Sequence, residues 1–193
     1  MRARMAIAVS GQQVEFREVI LRDKPPSMIE LSPKGTVPVL FLSSGQVIDE
    51  SLDVIDWALN LNDPDKWLRS NKSDKSLKLI HKNDNEFKYH LDRYKYASRF
   101  NADSSKHQEE CKNILENLEL KIDPCPWIFG EKVSLLDISI LPFIRQCKIA
   151  NPKWFFDQNF IKVIALLDFF EVSDLFTHAM KKFDLWDPQN RNG

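Results

Sequence analysis

The sequence predicts two domains: a small α/β domain over residues 1–62 and an all-helical domain over residues 72–186. Three observations carry that prediction. Helix-like and strand-like patterns alternate through the first part of the chain. Beyond Asn62-Asp63-Pro64-Asp65 the apolar residues recur at the three- and four-residue intervals of helices, without strand patterns. Glycine is scarce (5 residues) and phenylalanine plentiful (13 residues), which disfavours a turn-rich all-β design.

The bulk composition narrows the function. The chain has 193 residues with 27 basic and 28 acidic side chains, a formal charge of -1. Near-balance removes any whole-molecule attraction to nucleic acid or an anionic membrane. Hydrophobic residues make up 43% and charged residues 28%, the mixture of a soluble globular protein. The richest apolar stretch, Val163 to Val172, is broken by Asp168 and falls short of the roughly 20 residues of a membrane span. The apolar part of the opening, Met5 to Val9, is too short for a secretion signal. A soluble, cytoplasmic protein is expected. Cys111, Cys125 and Cys147 form neither a CxxC pair nor a zinc pattern, and read as free thiols of a reducing compartment. His81, His90, His107 and His178 show no metal-ligand spacing, so no metal site is expected.

Met1 to Ser10 reads as a helix with Met1, Met5 and Ala8 on one side, stopped by Gly11, the residue type that best takes a left-handed conformation. Val14 to Leu21 alternates as a strand does, with Val14 and Phe16 facing one way and Glu15 and Arg17 the other. Pro25-Pro26 opens a helical turn through Leu31, and Ser32-Pro33-Lys34-Gly35 forms a turn. Val37 to Leu42 and Gln46 to Asp49 are the arms of a hairpin about Ser43-Ser44-Gly45. Ser51 caps a helix to about Leu61, its inner stripe Leu52, Ile55 and Leu59.

In the second domain Leu77, Ile80, Asp84, Phe87, Leu91 and Tyr94 predict one long amphipathic helix. Asp84 interrupts its stripe, pointing to solvent or a subunit interface. A further helix carries Cys111, Ile114, Leu115, Leu118 and Ile122 and ends at Asp123-Pro124-Cys125-Pro126. After the loop Trp127-Ile128-Phe129-Gly130, Ser134 and Asp137 have capping-box spacing. Their helix runs to about Ile149 with Pro142 inside it. Helices over about 160–172 and 174–183 precede a polar tail, in which Trp186 is expected to cover apolar surface.

Three features carry chemistry. Pro38, in Thr36-Val37-Pro38-Val39, opens a strand, a place tolerated on an edge or with a cis bond. The sequence leaves cis and trans open; a cis bond would turn the Val37 N–H and C=O outward to pair with a peptide-like ligand. Glu50-Ser51 sits at a helix start, where Ser51 either caps the helix or joins its free N–H groups in binding a carboxylate. Lys24, before Pro25, is either an idle surface lysine or a partner for a second carboxylate. Together they describe a ligand with an extended peptide backbone and a carboxylate at each end.

SPKGTVPVL followed by VIDESLDVIDWAL resembles the glutathione-binding half of the glutathione S-transferase superfamily, whose first domain is thioredoxin-like. GEKVSLLDISILPFIRQ resembles the capping-box helix of the superfamily's all-helical second domain. The resemblance covers essentially the whole chain. It implies glutathione as cosubstrate, with Val37 on the cysteinyl backbone and Pro38 as the cis-proline. Glu50 and Ser51 would hold the γ-glutamyl end, and Lys24 would lie near the glycine carboxylate. Ser134 and Asp137 would serve folding. The electrophile would face the long helix, where His90, Arg93, Tyr94 and Tyr96 are candidates for pocket or packing. A homodimer is compatible with the resemblance.

MRARMAIAVSG resembles the helix that follows a Cys-Pro-aromatic motif in omega-like and bacterial members, so the first strand and catalytic nucleophile of the family are missing from these residues. No catalytic residue is assigned; Cys125-Pro126-Trp127 echoes the motif but sits in the helical domain. Two functions remain open. One is a glutathione transferase or thiol-disulfide reductase whose nucleophile lies upstream of Met1, the preferred expectation; the other is a non-catalytic glutathione-fold interaction module. The intact mass of the native protein separates them.

Overall fold

The computed structural model describes residues 1–70, 74–123 and 126–187. Two compact units emerge: residues 1–65 with the described residues from Thr177 onward, and residues 66–176. Residues 177–186, expected with the helical domain, belong by their contacts to the first unit.

The first unit begins with α1 (Arg2–Ser10), which Gly11 ends at φ 70° and ψ 12°, donating its N–H to Ala8 O. Ala3, Met5, Ala6 and Ile7 are buried. They face α3 (Ser51–Leu61), which turns Val54, Ile55, Ala58 and Leu59 inward. Of the expected face only Met5 is fully buried, because small Ala3 and Ala6 let α3 approach on their side. The Asn62 side chain donates to Ser10 O at 3.0 Å and ties the ends of the two helices together. Burial of each large apolar side chain in this layer contributes about 1.5–3 kcal/mol.

Between these helices, α2 (Pro26–Leu31) starts with proline at its first position, where no N–H is needed. The hairpin is shorter than its sequence pattern. β1 (Leu40–Phe41) pairs antiparallel with β2 (Val47–Ile48), Leu40 opposite Ile48 and Phe41 opposite Val47. Pro38 has no N–H to give a ladder, so pairing begins beyond it. Gly45 closes the turn at φ 88°.

Val14 to Leu21 keeps its alternation, with Val14 and Phe16 partly covered and Glu15 and Arg17 exposed, but is not a strand. Among the described residues it makes only isolated bridges, Glu18 with Leu185 in parallel and Ile20 with Asp23. A strand needs a run of ladder bonds, and alternation alone does not supply a neighbour. The expected helix over 174–183 also stops early: α12, the last helix among the described residues, spans Asp174–Ala179. Beyond it Phe183 stacks on Phe16 at 4.9 Å, with the Arg4 guanidinium over both rings. Trp186 lies under the Arg17 guanidinium at 4.8 Å.

The second unit opens with α4 (Trp67–Ser70), where Trp67 is fully buried. The single long helix expected next is interrupted: α5 (Asp74–Lys82) and α6 (Lys88–Lys95) flank a π-helical turn, Asn83–Phe87. The buried stripe is Ser76, Ile80, Asn83, Phe87 and Leu91, whereas Leu77 is 53% exposed. The buried residues keep the three- and four-residue spacing of a helix, but on a face one residue over, so that Ser76 and Asn83 rather than Leu77 and Asp84 turn inward. Asp84 accepts from the Asn83 amide at 2.7 Å.

Then follow α7 (Ala97–Phe100), α8 (Ser104–Glu119), α9 (Leu135–Ala150), α10 (Pro152–Phe156) and α11 (Ile161–Glu171). Asp103 caps α8 by accepting from the N–H groups of Ser105 and Lys106. The capping box at α9 forms as its spacing predicts, with Ser134 N–H donating to Asp137 at 2.8 Å. The buried Asp137 also accepts from Ile128 N–H at 2.9 Å, fixing the preceding loop to the helix start. α10 has no apolar periodicity to announce it; Asn151 caps it and Pro152 opens it. Cys111, Leu115, Ile144, Cys147, Phe155, Phe160 and Phe170 fill the core. Cys125, of the Cys125-Pro126-Trp127 echo, lies outside the described residues. None of the described helices is long and apolar enough to cross a membrane.

Candidate functional site

The sequence-predicted binding residues all lie in the first unit, around the turn after α2 and the start of α3. The turn closes with Gly35 N–H donating to Ser32 O at 3.0 Å. Gly35 has φ 60°, and a β-carbon there would come within 3.3 Å of Ile29 Cδ1 and 3.7 Å of Lys24 Cδ. Glycine thus permits both the left-handed turn and the approach of the Lys24 stem. The Lys24 ammonium donates to Leu21 O at 2.5 Å. Two residues after Gly35, Val37 is 50% exposed and its bond to Pro38 is cis.

Across from the turn, α3 begins without a side-chain cap. Glu50 is the N-cap residue in extended conformation (φ -112°, ψ 137°), and Ser51 is the first helical residue. The expectation that Ser51 caps this helix is therefore corrected: from the first helical position its hydroxyl does not take up the helix N–H groups. Instead Ser51 Oγ accepts from Arg2 Nη1 at 3.5 Å, and Arg2 is only 6% exposed. The packing of α1 on α3 thus brings a guanidinium to the hydroxyl at a helix start, two features that favour an anion.

Beside this positive corner lies a charged cluster. Lys34 Nζ donates to Asp49 Oδ1 at 2.9 Å and to Glu50 Oε1 at 2.7 Å, while Ser32 Oγ donates to Asp49 Oδ2 at 2.7 Å. The hydrogen bond from Lys34, then that from Ser32, hold the Asp49 carboxyl below its ordinary range. Glu50, followed by Asp49, raises the Lys34 ammonium above the ordinary lysine range. Arg2, Ser32, Lys34 and Asp49 were not singled out from the sequence. Arg2 becomes visible only through the packing of α1; Lys34 and Asp49 are an opposite-charge pair fifteen residues apart that the turn and hairpin fold together.

The aromatic and basic candidates on the long helix are engaged inside the second unit. His90 Nδ1 meets His107 Nδ1 at 2.8 Å, with Tyr89 edge-on to both rings. The Arg93 guanidinium lies 3.5 Å from the Tyr89 ring centroid, and Tyr94 Oη accepts from Gln108 at 2.7 Å. Tyr96 packs against the cations of Lys95 and Arg99. His90 and Arg93 thus share Tyr89, while Tyr94 and Tyr96 have other partners.

Fold and site together define a protein with a thioredoxin-like first domain, carrying a cis-proline turn and a Glu-Ser helix start, and an all-helical second domain. Residues 1–66 match the family described as Glutathione S-transferase, N-terminal domain. The probable glutathione S-transferase parA of Nicotiana tabacum is 25% identical over 150 residues, 74% of this chain and 66% of the relative. The probable glutathione S-transferase MSR-1 of Nicotiana plumbaginifolia matches to the same extent. The match therefore spans about two thirds of the length of these relatives. Among solved structures, glutathione transferase Omega 3C from Trametes versicolor has a TM-score of 0.75 at 16% identity, covering 95% of this chain and 85% of that one. A glutathione transferase family member from Pseudomonas fluorescens, with two glutathione bound, has a TM-score of 0.72 at 16% identity, covering 92% and 86%. Residues 1–66 thus match a glutathione S-transferase N-terminal domain, and the chain shares the fold of solved glutathione transferases.

Proposed function

We propose that this chain binds glutathione as a cosubstrate at Lys24, Val37, Pro38, Glu50 and Ser51, and that it serves glutathione transfer to electrophiles or disulfide reduction. The observation that carries the reading is the start of α3: an exposed Glu50 beside a Ser51 hydroxyl that is not used as a cap and faces the buried Arg2. A γ-glutamyl group bears an ammonium and a carboxylate on one carbon. Glu50 suits the former, and Ser51 with the helix N–H groups suits the latter. Val37 would pair its backbone with the cysteinyl residue as a short added strand. Lys24, whose ammonium is tethered to Leu21 O, would have to exchange that carbonyl for the glycine carboxylate.

The chemistry also needs a thiolate or a group that stabilises one. Residues 1–65 and 177–193 contain neither cysteine nor tyrosine. Cys111 is unsuited, since the Cys147 side chain and burial together push its thiol far above the ordinary range. Binding is therefore the part of the function that these residues support directly. Retention on immobilised glutathione with elution by free glutathione tests it. Ser51→Ala is expected to weaken binding at least about tenfold, the worth of a hydrogen bond to a charged group. Failure of the parent chain to be retained would overturn the reading. Retention without turnover of electrophiles or disulfides would favour a binding module.

A further inference from the structure

We infer that Lys34 is an internal competitor for the ammonium subsite, holding the Glu50 carboxylate that the amino group of a γ-glutamyl ligand must take. The inference rests on the reading of Glu50 given above. A lysine ammonium and the α-ammonium of glutathione are the same chemical group, and a carboxylate cannot serve both at full strength. If the ligand uses Oε1 of Glu50, it shares that oxygen with Lys34, 2.7 Å away, and the two cations repel most strongly there. If it uses the other oxygen, two cations sit against one carboxylate and repel.

The surroundings let Lys34 yield without being stranded. Its second acceptor, Asp49 Oδ1 at 2.9 Å, stays in place because Ser32 Oγ fixes the other oxygen of that carboxylate. Ser32 is itself buried, 1% exposed, so Asp49 is a firm pivot. Lys34 would swing from two carboxylates to one. Its side chain is 48% exposed and that of Glu50 62%, so the contact given up is a solvated ion pair of modest strength. Occupied by Lys34, the subsite favours ligands that bring their own ammonium and can trade one cation for another. A ligand without that ammonium gains nothing at Glu50.

The test compares two ligands on two proteins by titration calorimetry: glutathione and its analogue lacking the γ-glutamyl amino group, on the parent chain and on Lys34→Gln. Glutathione carries a net negative charge, so loss of a nearby cation would ordinarily weaken its binding. Competition predicts the reverse, about two- to fivefold tighter binding of glutathione by Lys34→Gln, the range of an exposed ion pair. The deaminated analogue should show no such gain. Equal or weaker glutathione binding by Lys34→Gln, or an equal gain for both ligands, would overturn the inference while leaving the glutathione reading intact. No binding of glutathione by either protein would remove both.

Discussion

The backbone N–H of Trp186 donates to Glu18 O at 2.9 Å, joining residues 168 positions apart in the sequence. The contact gives the extended stretch after α1 a neighbour from the C-terminal end of the chain. It is one of several: Leu185 bridges Glu18, Phe183 stacks on Phe16, and Arg4 and Arg17 lie on the rings of Phe183 and Trp186. The tail is thus a working part of the first unit.

Phe183→Ala therefore removes an aromatic stack and a cation–π contact at once, a loss of about 1–2 kcal/mol. A melting temperature lower by about 2–8 °C is expected from calorimetry or circular dichroism. An unchanged melt would show the tail to be dispensable.

Glu119, the last residue of α8, accepts from the N–H groups of Lys162 and Val163 at 2.7 and 2.8 Å and so caps α11 from a neighbouring helix. Its carboxylate meets two orphan donors and the positive end of the helix. Glu119→Ala is expected to cost about 1–2 kcal/mol, and Glu119→Gln less, in urea unfolding.

Asp137 is fully buried and accepts from Ile128 N–H, Ser134 N–H and Ser134 Oγ. Asp137→Ala leaves buried donors without a partner, at a cost of about 2–4 kcal/mol. Ser134→Ala leaves the Ile128 contact in place and should cost roughly 1 kcal/mol. Equal losses from the two variants in denaturant titration would refute this division of labour.

The contact between His90 and His107 requires at least one neutral ring. Burial, and then the charge of His107, lower the His90 pKa from its ordinary value, against the opposing pull of Glu110 and Glu86. A depressed histidine pKa means the unfolded chain takes up the proton first. Stability is then present above about pH 6.5, and it falls as the pH drops through that value toward the folded pKa. His90→Gln should flatten the decline below about pH 6.5, read by urea unfolding at about pH 7.5 and 5.5. An identical pH profile for the variant would contradict the assignment.

Much of this was written in local sequence. Gly11 ends α1, Pro26 opens α2, and Ser134 with Asp137 starts α9, because each depends on chemistry within one turn of the chain. The hairpin about Gly45 is equally local, whereas the stripe of α3 keeps Ile55 and Leu59 but buries Val54 and Ala58 in place of the expected Leu52, since packing against α1 selects the face. Lys24, Val37, Pro38, Glu50 and Ser51 are proposed as a group from their motifs and the family resemblance, and the sequence does not give the partners each takes.

What the tertiary structure decided was pairing. Whether Val14 to Leu21 becomes a strand depends on a neighbour, and among the described residues it finds only isolated bridges, to Leu185 and to Asp23. Ser51 accepts from Arg2 rather than capping its helix because the helix starts one residue earlier than its motif implies and Arg2 reaches it from α1. Asp84 gives up the inner stripe to Asn83, and Leu77 to Ser76, because two neighbouring faces of the helix share the spacing and packing selects between them. Sequence periodicity encodes what a segment can form and which face it would bury; which charge meets which carboxylate is fixed only when distant segments pack.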